Sequence, residues 1–193
     1  MGNDEELLTA LVNDLGGGFE TLVLAYQDRL YAFALRLSGS LPDAQEIAQD
    51  AFVRAYRALL TYPAERIGAL QPRAWLFQIT RNVYRNRVRR RELQQVPLEE
   101  WTRAEEGTCS LRALEGPDAW ALRAERRLEL TLALGRLPER QRSAVILRHI
   151  MGLGYDELAA TLHQPVGTAK SDVHRGVRTL RTLVTEVNDG QAG

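Results

Sequence analysis

The sequence predicts an all-α protein of two small helical domains joined by a flexible acidic linker, the C-terminal domain being a helix-turn-helix. Along most of the 193 residues, apolar residues recur at steps of three and four, and no stretch shows the alternation typical of strands. Ala, Leu, Arg and Glu, which favour helices, are abundant. Residues 94–124 lose the helical periodicity and gather Pro, Gly and acidic residues, as mobile linkers do.

The N-terminal domain, residues 19–93, is predicted to contain three core helices. Each carries an apolar stripe at helical spacing, and Ser, Gly and Pro clusters separate one helix from the next. A short leader is expected before them, ending at three consecutive glycines. The expected elements are the leader at residues 1–18, a helix from Phe19 to Leu37, a helix from about Asp43 to Leu60, a loop from Tyr62 to Pro72 and a helix from about Arg73 to Leu93.

The C-terminal domain, residues 125–187, is predicted to end in a helix-turn-helix. A short helix is expected from about Tyr155 to Leu162. Gln164-Pro165 then breaks the chain, and Pro favours a helix start because its fixed φ and missing N–H cost little there. From Val166 the apolar residues again recur at threes and fours. Residues 188–193 are expected to form a disordered tail.

The last helix is apolar on one side and cationic on the other. Asp172 is the only acidic residue on its polar side before the chain end. A cationic helix one tight turn after a shorter helix is typical of a helix that enters the DNA major groove. The alternative is an ordinary surface helix with a solvated face, although such faces normally mix both signs. The side chains off the apolar stripe are Lys170, Ser171, His174, Arg175, Arg178 and Arg181.

The charges are balanced but unevenly distributed. The chain has 25 basic and 25 acidic residues, which argues against a purely electrostatic binder of nucleic acid. All the charged residues of 66–91 are basic, and the last sixty residues have a mild excess of basic residues. The first sixty residues and the middle of the chain have an excess of acidic ones. This pattern predicts two DNA contacts beside acidic surfaces that serve another partner. Lys170 is the only Lys, so nearly all the basic residues are Arg. Both the use of Arg to recognise nucleic acid and high-GC codon usage would explain this preference for Arg over Lys.

Several classes of protein are not favoured. Cys109 is the only cysteine, so no disulfide framework or cysteine metal site is expected, and a reducing compartment is indicated. No apolar run reaches membrane-spanning length and no signal peptide is evident, so we expect a cytoplasmic protein without membrane insertion. Without a nucleophile–base pair, a Gly-rich phosphate loop or metal-ligand spacing, we expect no catalytic residues, no metal and no cofactor.

The third predicted helix has a second polar face. Arg can neutralise phosphates, Asn can bond base edges, and Trp offers a stacking surface for an unstacked base. This combination on one face suggests contact with opened DNA, although a core position is the alternative for Trp75. The side chains on this face are Trp75, Gln78, Asn82, Arg85, Asn86 and Arg89.

Three segments together resemble a known family. Residues 43–59, DAQEIAQDAFVRAYRAL, and 73–91, RAWLFQITRNVYRNRVRRR, resemble region 2 of the extracytoplasmic-function (ECF) sigma factors of bacterial RNA polymerase, in the sigma-70 family. Residues 137–181, from LPERQRSAVILRHIMG to VHRGVRTLR, resemble their region 4. The resemblance covers most of residues 19–183. It implies an alternative sigma factor, not itself an enzyme, which binds core polymerase and directs promoter-specific initiation by reading −10 and −35 elements.

The resemblance also implies the role of three surfaces. The core polymerase would be bound through its β′ clamp by Glu46, Gln49, Asp50 and Arg54. The −10 element would be contacted by Trp75, Asn82, Arg85, Asn86 and Arg89, with the preceding loop holding a flipped base. The −35 element would be contacted by Gly167, Thr168, Lys170, Ser171, His174, Arg175 and Arg178.

The resemblance implies further partners, and at two positions the chain departs from the usual residues of the family. It implies contact with the polymerase β flap, an anti-sigma factor, and a linker that enters the RNA exit channel; a plain spacer is the alternative for the linker. Asn86 stands where many members of the family have Asp. Asp172 stands where a basic residue is usual, and we expect it at the margin of the DNA face, weakening phosphate contact or pairing with a neighbouring Arg.

Two other functions are compatible with a C-terminal helix-turn-helix. A conventional transcriptional regulator would bind an operator and use its N-terminal helices to dimerise or to sense, but such a domain has no reason to carry the face from Trp75 to Arg89. A helical adaptor that binds polymerase without reading DNA would leave the cationic face of the last helix unexplained.

Overall fold

The computed structural model describes residues 2–93 and 130–191, and all regular structure in those two stretches is helical. The predicted all-α fold with two helical domains is confirmed, while the acidic linker and Cys109 lie outside the described residues. The helices are α1 (Gly2–Asn13), α2 (Leu15–Ser38), α3 (Leu41–Leu59), α4 (Ala64–Gly68), α5 (Pro72–Leu93), α6 (described over 130–135), α7 (Glu139–Val145), α8 (Tyr155–Leu162) and α9 (Val166–Gln191).

The N-terminal domain is built around α2, α3 and α5. The apolar stripe of α2 is buried between the other two helices, and the rings of Phe33 and Phe77 meet edge to face with centroids 5.2 Å apart. Ser40 caps α3 by accepting the N–H of Asp43 at 3.4 Å. Gly39 ends α2 with φ 69°, a left-handed conformation that a glycine adopts without steric cost.

The N-terminal segment differs from the expected leader. Residues 2–13 form α1, which packs on α2 through the buried side chains Leu7 and Leu11. The three glycines lie in the first turns of α2, because Asp14 caps that helix by accepting the N–H groups of Gly16 and Gly17 at 3.0 and 3.2 Å.

Two further segments contain more helix than expected. The predicted loop from Tyr62 to Pro72 includes the short helix α4, whose Ile67 is buried. The segment expected to form a disordered tail from residue 188 continues α9 as far as Gln191. Both segments carry the weak apolar pattern of short or terminal helices, which periodicity alone detects poorly.

The C-terminal domain packs α7, α8 and α9 around a small apolar core. After α7, Ile146–Ile150 continues as a wider π-helical turn. Gly176 of α9 lies directly against α7, where an added Cβ would meet Cγ2 of Val145 at 2.6 Å. This close approach fixes how α9 lies on the rest of the domain.

The two domains pack against each other, and their buried residues form one continuous cluster. Arg142 of α7 is buried at the boundary, where its Nη1 donates to the carbonyl of Leu37 at 2.8 Å and to the hydroxyl of Tyr84 at 3.0 Å. Burial raises the pKa of the Tyr84 phenol, a shift that the Arg142 charge opposes. The described chain is therefore in a closed arrangement, with α5 against α8.

Candidate nucleic-acid interface

The helix-turn-helix has the predicted boundaries. α8 runs from Tyr155 to Leu162 and α9 begins at Val166. His163 ends α8 in the left-handed region, with φ 51°, and this turns the chain sharply. Glu157 accepts the N–H of Gly154 at 2.9 Å, which satisfies one free donor at the start of α8. The left-handed turn at His163 sets the direction in which α9 leaves α8.

The residues predicted to contact a −35 element lie on one side of α9. Ala169 and Val173 face the core, and the opposite side is solvent-accessible. Lys170 also lies near the Tyr155 ring, with Nζ 5.4 Å from its centroid, which draws the ammonium toward the start of α8. The exposed members are Gly167, Lys170, Ser171, His174, Arg175 and Arg178, and Thr168 is half-buried.

Asp172 lies inside the domain, which contradicts its predicted place at the margin of this face. Its side chain is 2% exposed, and it accepts hydrogen bonds from Arg140, Gln164 and Arg175. The expected pairing with a neighbouring arginine is confirmed. Nothing in the sequence indicated Arg140 and Gln164 as partners. The one available signal was the acid on a cationic helix, because a buried acid must have hydrogen-bond partners.

The polar face of α5 also lies as predicted. Asn82, Asn86 and Arg89 are exposed along one stripe, seven to fourteen residues beyond Trp75. Trp75 is half-buried and packs on Tyr62, with ring centroids 6.3 Å apart. The tryptophan therefore belongs partly to the core and partly to the surface.

Part of this stripe is occupied by the C-terminal domain. Arg85 is exposed, but its Nε lies 3.9 Å from Oε2 of Glu139 in α7. The neighbouring Arg81 donates to both carboxylate oxygens of Glu139. Gln78, which shares the predicted face, contacts His163 in the turn of the helix-turn-helix. The closed arrangement thus pairs basic and polar groups of α5 with groups of the C-terminal domain.

The predicted polymerase-binding side chains form an exposed polar strip on α3. Gln49, Asp50 and Arg54 point away from the core, whereas Oε2 of Glu46 accepts Nη1 of Arg87 at 2.5 Å. Arg87 also contacts Asp43 at 2.8 Å. Burial alone would lower the pKa of Arg87, but its bonds to these acids outweigh it and the pKa is raised. The strip is thereby fixed to α5, the helix that carries the predicted −10 face.

Neither a metal-ligand cluster nor a membrane-spanning helix is found among the described residues. Within 2–93 and 130–191, no group of His, Cys, Asp and Glu side chains could hold a metal ion. Over those same stretches no helix is long and apolar enough to cross a membrane.

The chain matches two families of sigma-factor domains. Sigma-70 region 2 matches residues 22–93, and Sigma-70 region 4 matches residues 127–180. The chain is 34% identical to the ECF RNA polymerase sigma factor SigE of Mycolicibacterium smegmatis over 194 residues, covering 95% of this chain and 70% of that protein. It is 32% identical to the RNA polymerase sigma-H factor of Pseudomonas aeruginosa over 178 residues, covering 89% of each.

A solved structure agrees with these relatives. The sigma factor RpoE of Bartonella quintana, in complex with the anti-sigma factor NepR, superposes with a TM-score of 0.63 at 27% identity, covering 86% of this chain and 96% of that one. The two family matches, on two helical domains in this order, define a sigma-70-type protein with regions 2 and 4. The chain belongs to the ECF sigma factors and is an alternative sigma factor; the comparisons do not favour a conventional helix-turn-helix regulator.

Proposed function

We propose that this chain binds core RNA polymerase through α3 and directs it to promoters by reading the −10 element with α5 and the −35 element with α9. One observation carries the proposal: two separate solvent-facing stripes, on different domains, bear the residue types that DNA contact requires. The chain then acts as a non-catalytic specificity subunit, and the polymerase supplies the chemistry.

The two stripes suit different states of DNA. On α9, Lys170, His174 and Arg175 can reach base edges and phosphates of an intact major groove. On α5, Asn82 and Asn86 can bond the edges of bases, and Trp75 offers the exposed part of its ring to an unstacked base. Extruding a base costs a few kcal/mol, which stacking on this ring and a pocket in the preceding segment would offset.

Reading both elements at once requires the closed arrangement to open. By their position numbers, the −10 and −35 elements are about 25 base pairs apart, or about 85 Å at about 3.4 Å per base pair. A compact chain of 193 residues has a radius of gyration of only about 16 Å. The two domains must therefore separate, which breaks the contacts of Arg142 and Glu139 with the N-terminal domain and frees Arg85 for DNA.

An anti-sigma factor is the proposed regulatory partner. The support is the likeness to RpoE of Bartonella quintana, which was solved in complex with the anti-sigma factor NepR. An anti-sigma factor that bound across both domains would hold them in the closed arrangement. The polymerase β flap and the path of the acidic linker remain predictions from the family.

The proposal is tested by transcription with purified chain and core polymerase on a promoter library randomised at the −10 and −35 positions. We expect initiation only from a defined subset of sequences. Asn86→Ala is expected to change the preferred −10 bases alone, and Lys170→Ala the preferred −35 bases alone. Arg29→Ala, an exposed arginine on α2 outside both stripes, is the matched control and should change neither preference.

Two results would contradict the proposal. The first is the absence of promoter-specific initiation when no anti-sigma factor is present. The second is a uniform fall in transcription for both variants with unchanged preferences, because this would place α5 and α9 in polymerase binding instead of DNA reading.

A further inference from the structure

The recognition helix α9 contains a buried carboxylate, Asp172, between the exposed residues of its cationic side in the sequence. Oδ2 of Asp172 accepts Nε of Arg140 at 2.9 Å and Nε2 of Gln164 at 3.1 Å, while Oδ1 accepts Nη2 of Arg175 at 3.0 Å. Both oxygens are thus occupied and the side chain is almost fully buried. The acid is therefore satisfied within the domain and does not face DNA as a free charge.

The two arginines that hold Asp172 remain largely open to solvent. The side chains of Arg140 and Arg175 are 56% and 55% exposed. Arg140 also donates Nη2 to Oε1 of Gln164 at 3.0 Å, so one edge of its guanidinium is anchored twice. Within the described residues, Nη1 of either arginine makes no hydrogen bond. The guanidinium of Arg140 is held at two nitrogens and that of Arg175 at one, and each keeps other donors available.

Fixing a guanidinium in this way matters for sequence reading. Arginine recognises guanine by two parallel hydrogen bonds, which form only when the planar group is correctly oriented. A long side chain that is already held gives up less freedom on binding than a free one, so its bonds to DNA are stronger and more selective. The carboxylate supplies this orientation from within the helix, three residues before Arg175.

We propose that Asp172 is a positioning residue for −35 recognition, which orients Arg175, and that Arg140 is an additional contact to the DNA backbone from outside the recognition helix. This inference rests on the proposed function of α9. It gives a role to the departure of Asp172 from the usual basic residue. An acid at position 172 cannot bind a phosphate, and Arg140, which the same carboxylate holds in place, binds one instead.

The first test measures −35 preference at each base position, using holoenzyme assembled from core polymerase and variants of the full chain. Asp172→Asn and Arg175→Lys are each expected to lower discrimination by about tenfold at the same one or two base pairs. Because Asn removes a negative charge, affinity for unrelated DNA should not fall. The double variant should discriminate between −35 sequences as well as either single variant does, because the two residues act as a unit.

The outcomes separate this inference from the function on which it rests. If Arg175→Lys leaves the −35 preference unchanged, the DNA-reading face of α9 is wrongly assigned. If Arg175→Lys alters the preference and Asp172→Asn does not, only the positioning role fails. Equal losses at all positions with a lower melting temperature would show that Asp172 merely maintains the fold, and would also overturn it.

The second test addresses Arg140, whose side chain is exposed; after its replacement Asp172 keeps its hydrogen bonds with Gln164 and Arg175. Arg140→Gln is expected to weaken binding by similar factors for all −35 sequences and to reduce the slope of log affinity against log salt by about one. Arg136→Gln, an exposed arginine in the turn before α7, is the matched control and should leave the slope unchanged. An unchanged slope for Arg140→Gln would overturn the backbone contact.

Discussion

Arg81 of α5 and Glu139 at the start of α7 form a two-point ion pair across the boundary between regions 2 and 4. Nε of Arg81 donates to Oε1 at 2.9 Å, and Nη2 donates to Oε2 at 3.3 Å. Arg81 is only 7% exposed, so water and salt screen the pair less than they screen a surface pair. The same carboxylate lies beside Arg85. Glu139 is thus the residue through which region 4 holds two arginines of region 2.

Neutralising this acid should favour the open chain. Glu139→Gln leaves Arg81 buried without its counter-ion, which is costly only while the domains stay closed. We expect the radius of gyration of the free chain, measured by small-angle X-ray scattering, to rise by several ångströms above about 16 Å. Glu65→Gln, an exposed acid on α4, should leave it unchanged. Equal radii for the two variants would show that Glu139 does not hold the domains together.

Removing the buried arginine at the same boundary should lower stability. Arg142→Met leaves the Leu37 carbonyl and the Tyr84 hydroxyl without their donor, together with carbonyls of Gly135 and Leu137 within region 4. We expect the free energy of unfolding, measured in urea, to fall by about 3 kcal/mol. Tyr84→Phe removes one acceptor only and should cost about 1 kcal/mol or less. A smaller loss for Arg142→Met than for Tyr84→Phe would contradict this assignment.

Local signals explain which elements could be predicted from the sequence. The start of α9 at Val166 follows from Pro165 and from an apolar stripe on the same helix, so both signals lie within a few residues. The polar stripe of α5 was predictable for the same reason, because helical periodicity alone places Asn82, Asn86 and Arg89 together.

The remaining features depend on partners that are distant along the chain. Burial of Asp172 requires Arg140, thirty-two residues earlier, and the domain contact joins Arg142 to Leu37 across 105 residues. No pattern within a window of a few turns reports such pairs. The helix predicted from Phe19 begins at Leu15 instead: three glycines usually interrupt helices, but Asp14 ahead of them supplies a cap that offsets their weak propensity.

The packing of α1 depends on one of those glycines. A Cβ on Gly18 would lie 2.6 Å from the backbone N of Leu11, and backbone cannot move aside at low cost. We therefore expect Gly18→Ala to lower the free energy of unfolding by about 2 kcal/mol and to expose α1 to proteolysis. Gly16→Ala, whose Cβ would meet only the Asp14 side chain at 3.4 Å, is the matched control. Similar proteolysis of both variants would argue against close α1–α2 packing.

The contact between α1 and α2 should also show at high pH. Burial, assisted by the charge of Asp4 and its hydrogen bond, raises the pKa of the Tyr26 phenol to about 12. The unfolded chain releases this proton near pH 10, so the folded state binds more protons between about pH 10 and about pH 12. The free energy of unfolding should stay level with respect to this group below about pH 10 and fall as the pH rises toward 12. Tyr26→Phe should make the fall shallower, and identical profiles would contradict the shift.

The α3 strip can be tested separately from DNA binding. Glu46 is already engaged by Arg87, which leaves Gln49, Asp50 and Arg54 as its open part. Binding can bury an exposed carboxylate against a basic group of the partner. Neutralising such a carboxylate removes much of its contribution to binding affinity. We expect Asp50→Asn to weaken binding to core polymerase by about tenfold, measured by fluorescence anisotropy with labelled chain, at an unchanged melting temperature.

The matched control for that measurement is Asp28→Asn, an exposed acid on α2 that lies outside the strip. Both substitutions remove one negative charge, so any effect of net charge on polymerase binding is common to them. A tenfold difference between the two variants then assigns the effect to the position of Asp50 on α3. If the two variants bind core polymerase equally well, the polymerase is docked by another surface, and the exposed polar side chains of α3 serve only solvation.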